Sequence, residues 1–146
     1  MKSVSAVGLL ACLTLAGLSA CSSAGSSAAP VSVAEAATVS VLYEVDGSAS
    51  AADITLETGS GTSQQSVKVP LTSKSSGKKG LTFNMERGAF VYISAQNTGQ
   101  MRPGASINSP DFYGRVTCRI TVDGKVISEN STTSKYGIAS CKGTAR

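Results

Sequence analysis

From residue 39 onward the chain alternates between apolar and polar positions. Val39, Val41, Tyr43 and Val45 share one face of a segment that ends at Asp46-Gly47, and a period of two marks a half-buried β-strand. Ile54 and Leu56 share a face in "AADITLETGSG", which closes on Gly59 and Gly61. Val67, Val69 and Leu71 do the same in "QQSVKVPL", where Pro70 points to an edge strand or a bulge because proline has no N–H for a ladder. "GLTFNM" alternates Leu81, Phe83 and Met85, and "GAFVYISAQN" is apolar on both faces at Phe90, Val91, Tyr92 and Ile93, which predicts a central strand. In "GRVTCRITV" Val116, Cys118, Ile120 and Val122 face one way, and Thr117, Arg119 and Thr121 the other. "KVISENS" returns after Asp123-Gly124, and "YGIASCK" brings in Cys141.

Short strands, regularly spaced turn signals and no helical period predict an all-β fold. The expected architecture is an immunoglobulin-like antiparallel β-sandwich of about seven strands with one disulfide. Asp123-Gly124 is a strong hairpin signal. A two-residue turn there sets Ile120 opposite Ile127, whereas a three-residue loop with Gly124 left-handed sets it opposite Val126. The second is favoured because it keeps Glu129 off the core face. Residues 98–114 ("TGQMRPGASINSPDFYG") form a long polar loop with two prolines. Such a loop is a binding surface or an idle insertion. Met101, Arg102, Phe112 and Tyr113 supply the apolar and arginine anchors that interface centres favour.

The first residues read as an address. Lys2 precedes an apolar stretch from Val4 to Leu18, with small residues after it, the layout of a secretory signal peptide. A membrane span needs about 20 apolar residues, and the strongly apolar part, Val7 to Leu18, is shorter. "LSAC" (Leu18-Ser19-Ala20-Cys21) looks like a bacterial lipobox, whose cysteine takes a diacylglyceryl group, and two acyl chains anchor stably. The expected division is residues 1–20 signal peptide, 21–38 lipidated N-terminus and flexible tether, and 39–146 the β-sandwich. The Ser/Ala/Gly-rich tether spans roughly 20–25 Å root-mean-square. The domain is therefore expected on the extracytoplasmic face of the cell membrane, close above it.

That reading sorts the four cysteines. Cys12 leaves with the signal peptide and Cys21 carries lipid. Cys118 and Cys141 remain, an even pair in an exported protein, and they are expected to bond. Two free thiols suit a reducing compartment, and a zinc site would need more ligands than two thiolates in a chain with no histidine.

Charge adds one feature. Loss of Lys2 with the leader lowers the formal charge from +4 to +3, and no basic stripe with interleaved aromatics points to nucleic acid. Lys74, Lys78 and Lys79 cluster in "TSKSSGKKG". This is a solvated loop tip or a contact for anionic headgroups, where each lysine adds about 1 kcal/mol. The absence of histidine excludes a Ser-His-Asp triad. Asp53 and Glu57 share a strand face, but nothing near them in sequence would part their pKa values as an acid–base pair requires. The chain is read as non-catalytic, with no cofactor and no metal site.

"LYEVDG", "ADITLET", "VPL", "ISAQN" and "VTCRITVDGKVISEN…SC" occur in this order between Val41 and Cys141. Together they resemble the MmpS family, the mycobacterial membrane protein small group, most sharply at "CRITVDG" with a second cysteine downstream. The resemblance implies a membrane anchor, an extracytoplasmic β-sandwich with one disulfide, and association with RND-type MmpL transporters that export lipids and siderophores. Cys118 and Cys141 match the family's cysteine pair, and Arg119 and Asp123 lie within its motif. The chain departs from the family in having a lipobox in place of a transmembrane helix. Leu71 and Thr72 stand after Pro70 where a tryptophan is common, and the segment before Cys118 is long. The expected role is an accessory or docking module for an RND exporter. The alternative is a stand-alone surface lipoprotein that binds a small ligand or an envelope partner.

Cys21→Ala is expected to block both lipidation and lipoprotein-type cleavage. Labelled fatty acid entering that variant would rule out the lipobox.

Overall fold

A computed structural model describes residues 37–146. The signal peptide, Cys21 and the tether up to residue 36 lie outside the described residues. Eight strands follow one another: β1 (Thr38–Gly47), β2 (Ala51–Glu57), β3 (Thr62–Lys68), β4 (Leu81–Glu86), β5 (Phe90–Asn97), β6 (Val116–Val122), β7 (Lys125–Thr132) and β8 (Ile138–Thr144). They form two four-stranded antiparallel sheets, ordered β4-β1-β6-β7 and β3-β2-β5-β8. The β-sandwich is thus as expected, with eight strands where about seven were anticipated. No helix occurs among the described residues.

The alternation of the sequence sets the two inner faces. Val41, Tyr43, Val45, Ile54, Leu56, Val91, Ile93, Val116 and Ile120 are all buried between the sheets. Each such side chain contributes about 1.5–3 kcal/mol by leaving water. Tyr43 is fully enclosed, and its hydroxyl donates to the Met85 sulfur at 3.7 Å. Burial pushes this phenol up to about 12; the Tyr92 backbone opposes the rise and Glu57 adds to it. A neutral phenol with a partner is tolerated in the core.

Three local readings are corrected. β5 is central, yet only one of its faces is core: Phe90 is exposed and stacks on Tyr92 on the outer surface, ring centroids 6.2 Å apart. The "QQSVKVPL" strand stops at Lys68, so Val69 and Leu71 belong to the crossover that leaves edge strand β3. The hairpin register is neither of those considered. Val122 pairs with Lys125 and Thr121 with Val126, but Ile120 pairs with Ser128 across a bulge. Asp123 (φ 46°) and Gly124 (φ 81°) are both left-handed, the two-residue turn whose twist suits a hairpin. The bulge then restores what the longer loop would have achieved. Its extra residue, Ile127, packs on the core, and Glu129 moves off the core face to stand opposite Arg119.

The motif around Cys118 is held on every side. Arg119 donates from Nε to Glu129 at 2.8 Å and lies 3.7 Å from Glu44, its neighbour on β1. These are exposed pairs, worth about 0.2–1 kcal/mol each. Asp123 accepts a hydrogen bond from Ser40 N on Oδ1 and donates its own N–H to Ser40 O, which locks the turn to the start of β1.

The strands give the sandwich two unlike ends. The chain starts β1 at the end where the turns are short: residues 58–61, 87–89 and 123–124. The long connections, residues 69–80, 98–115 and 133–137, gather with residues 48–50 at the other end. The ten residues of β1 separate the two ends by roughly 30 Å. The two sides differ as well. β7 and β8 are joined by Asn130 Nδ2 donating to Ser140 O and Lys142 N donating to Ser128 Oγ. Among the described residues no hydrogen bond links β3 to β4, so that side is open.

Cys118 and Cys141 are bonded and fully buried, Cα atoms 6.1 Å apart. Because β6 and β8 lie in different sheets, the bond staples one sheet to the other. Closing a loop of this length stabilises a domain by about 3.4 kcal/mol on the chain-entropy model. Paired Cys118→Ala and Cys141→Ala substitutions are therefore expected to lower unfolding free energy by about 3 kcal/mol, measured by denaturant titration. An unchanged midpoint would contradict the staple.

Candidate functional site

The 98–114 loop rises from the end of β5 and returns into β6. Its base is held by one residue. Asn97 is the only fully buried polar side chain among the described residues. Its Nδ2 donates to Gly114 O at 3.0 Å and its Oδ1 accepts from Gly99 N at 3.0 Å, so one amide ties both feet of the loop. Its backbone accepts from Tyr136 N and donates to Gly137 O, which adds the 133–137 connection to the same knot. Gly114 fits only as glycine: its φ is +77°, and a Cβ there would lie 2.6 Å from Ala49 Cα.

Above this base the loop is laced by its own backbone. Arg102 N donates to Phe112 O, Ala105 N to Arg102 O, and Phe112 N to Ser109 O. Gln100 N is held by Ser50 Oγ from the β1–β2 connection. The four anchors expected from sequence differ in exposure, although the Arg102 and Phe112 backbones are hydrogen-bonded to each other. Met101 and Arg102 are exposed and border a small hollow of about 430 Å³ with Ser48, Ser50 and Pro103. Phe112 and Tyr113 are half-buried and pack edge-on, centroids 5.0 Å apart. Tyr113 turns toward the neighbouring connection, where Lys135 Nζ lies 5.1 Å from its ring centre and 5.1 Å from that of Tyr136. A cation between two rings gains about 0.5–1 kcal/mol per exposed contact.

Sequence reasoning missed Lys135, Tyr136 and Ile107, which at 79 % is the most exposed large apolar side chain among the described residues. It also missed Asn97, although the signal was present: Asn97 continues the inward face of Val91, Ile93 and Ala95. Asp53 and Glu57 lie on β2 as expected, but each accepts from a hydroxyl of β3, Ser66 and Thr62 respectively.

A second concavity, about 700 Å³, opens on the unlinked side between β3, the 70–75 segment and Leu81. Comparison with known protein families finds no model that matches the chain, and comparison with curated proteins finds no significant match. What the fold defines is the class: a disulfide-stapled β-sandwich with its long connections gathered at one end.

Asn97→Ala leaves Gly99 N–H and Gly114 C=O buried without partners, at about 1–3 kcal/mol for each. The variant is expected to unfold about 2–4 kcal/mol more easily and to be cut faster by protease within residues 98–114. Cutting at the wild-type rate would show that the loop does not depend on this amide.

Proposed function

We propose that the chain is a lipid-anchored, extracytoplasmic, non-catalytic accessory protein that docks an RND-type exporter of lipids or siderophores. The observation that carries this reading is the placement of the long connections. They form a braced end about 30 Å from the end where β1 begins. A module tethered at its N-terminus would present that end to a neighbour.

The braced end also has an electrostatic bias. Lys68, Lys74, Lys78, Arg102 and Lys135 make no ion pair among the described residues, while Asp46 and Asp111 are taken up by Lys79 and Arg115. Apolar Met101 and Ile107 stand exposed in the 98–114 loop at the same end. Exposed methionine and arginine are side chains that protein interfaces favour. The MmpS-like order of strand motifs adds the partner class, an MmpL-type transporter.

A second reading, a ligand-binding lipoprotein with no transporter partner, is favoured by the open concavity beside β3. The two are separated by cross-linking from a photoreactive residue in place of Ile107 in intact cells. That position projects into solvent, whereas the Phe112 ring packs on Tyr113. Docking predicts recovery of an RND transporter. The absence of any membrane-protein adduct, with normal export after deletion of the gene, would remove the docking reading.

A further inference from the structure

The lysine-rich segment and the open side of the sandwich meet in the 700 Å³ cleft, a size within the usual range for one small ligand, about 300–1,000 Å³. β3 forms one wall and residues 70–75 the other, folded back by Ser73 N donating to Lys78 O and Gly80 N donating to Leu71 O. The floor is apolar: Val67, Pro70, Leu71 and Leu81. Leu71 is only 4 % exposed and is pinned by its N–H to Val45 O at 2.8 Å. Lys68 and Lys74 stand on the lining, neither within 4.0 Å of a carboxylate among the described residues, and no acidic side chain of those residues lines the cleft.

We propose that this cleft holds one molecule of a single-chain anionic amphiphile, its alkyl chain on Val67, Pro70, Leu71 and Leu81 and its acidic head at Lys68 and Lys74. The floor argues for a single molecule and against contact with a bilayer surface. Leu71 is buried and Val67 and Leu81 are half-buried, with Pro70 alone of the four exposed, so most of the apolar floor lies inside the cleft. A surface that enters a membrane carries them outermost. Recessed apolar groups instead require the ligand to leave its bilayer and bring its chain inward. Charge selects the head: two unpaired ammonium groups favour an anion and nothing nearby repels it. The proposal does not rest on the docking reading, since a stand-alone protein would bind the same ligand.

The test uses the full chain carrying Cys21→Ala, so that no acyl group of its own competes. Displacement of a fluorescent fatty acid by hexadecanoic acid is compared with displacement by hexadecanol, which has the same chain and no charge. Saturable one-to-one binding is expected, with the acid preferred and its affinity falling as salt is added. Lys68→Gln with Lys74→Gln is expected to weaken the acid about tenfold and to leave the alcohol unchanged. Leu81→Asn should weaken both, and unaltered thermal unfolding of each variant confirms that the fold is kept. Equal affinity for acid and alcohol, indifference to the lysine substitutions, full competition by inorganic phosphate, or binding seen only on phosphatidylglycerol vesicles would each overturn the proposal.

Discussion

The bond between Cys118 and Cys141 organises this sandwich because it joins strands of different sheets. Hydrogen bonds hold strands within a sheet, and the faces of two sheets are otherwise joined only by non-directional apolar contact. A covalent link at fully buried positions fixes which residue of β6 faces which residue of β8. The consequences spread outward from there. β7, paired with β6, is set beside β8, and side-chain bonds from Asn130 and Ser128 close that edge. Gly143 on β8 has no side chain, and a Cβ there would stand 2.7 Å from the Ile127 Cδ1 that the bulge delivers. Closure of one side leaves β3 and β4 as the free edges of the other.

Free sheet edges invite pairing with other chains, and proteins blunt them with charge, bulges and cover. Here β3 reads "TSQQSVK", mostly exposed polar residues ending in a lysine, and the segment after it folds over the gap beside β4. The cover does not fill the gap, and the apolar cleft is what remains. The lysines are therefore tied to the same problem of edge protection that produces the cleft.

The alternation of valine, isoleucine and cysteine made the strands and their inward faces legible, because a pleated strand buries every second side chain. The cysteine pairing followed from counting once Cys12 and Cys21 were set aside on the expectation of a signal peptide and a lipobox. The hairpin register was not legible. Both candidate registers assumed an unbroken ladder, whereas the protein keeps the tight Asp123-Gly124 turn and corrects Glu129 with a bulge. Nor was the outward side of β5. Phe90 and Tyr92 look like core in sequence, but a second burying layer is needed to make them so, and among the described residues none covers that face. Of the four loop residues, Met101 and Arg102 are exposed and Phe112 and Tyr113 half-buried. The contact of Tyr113 with Lys135, a residue distant in sequence, was not legible before the fold.

The segment that carries the resemblance has a structural task at each position named. Cys118 staples the sheets, and Arg119 spans Glu44 and Glu129 across three strands. Asp123 locks the turn onto Ser40, and Gly124 supplies the left-handed backbone beside it. All four act through contacts within the domain, and Asp123 and Gly124 lie at the end where β1 begins, away from the long connections. A motif of this kind transmits an architecture. The segments of this chain that those contacts leave aside are the long 98–114 loop and the lysine-bearing cover of the β3–β4 edge. Two of the three departures from the pattern that the sequence resembles fall there: the long segment before Cys118, and Leu71-Thr72 after Pro70. Leu71 now forms the floor of the cleft. A bulky indole at this position would compete for the space that the leucine side chain leaves open.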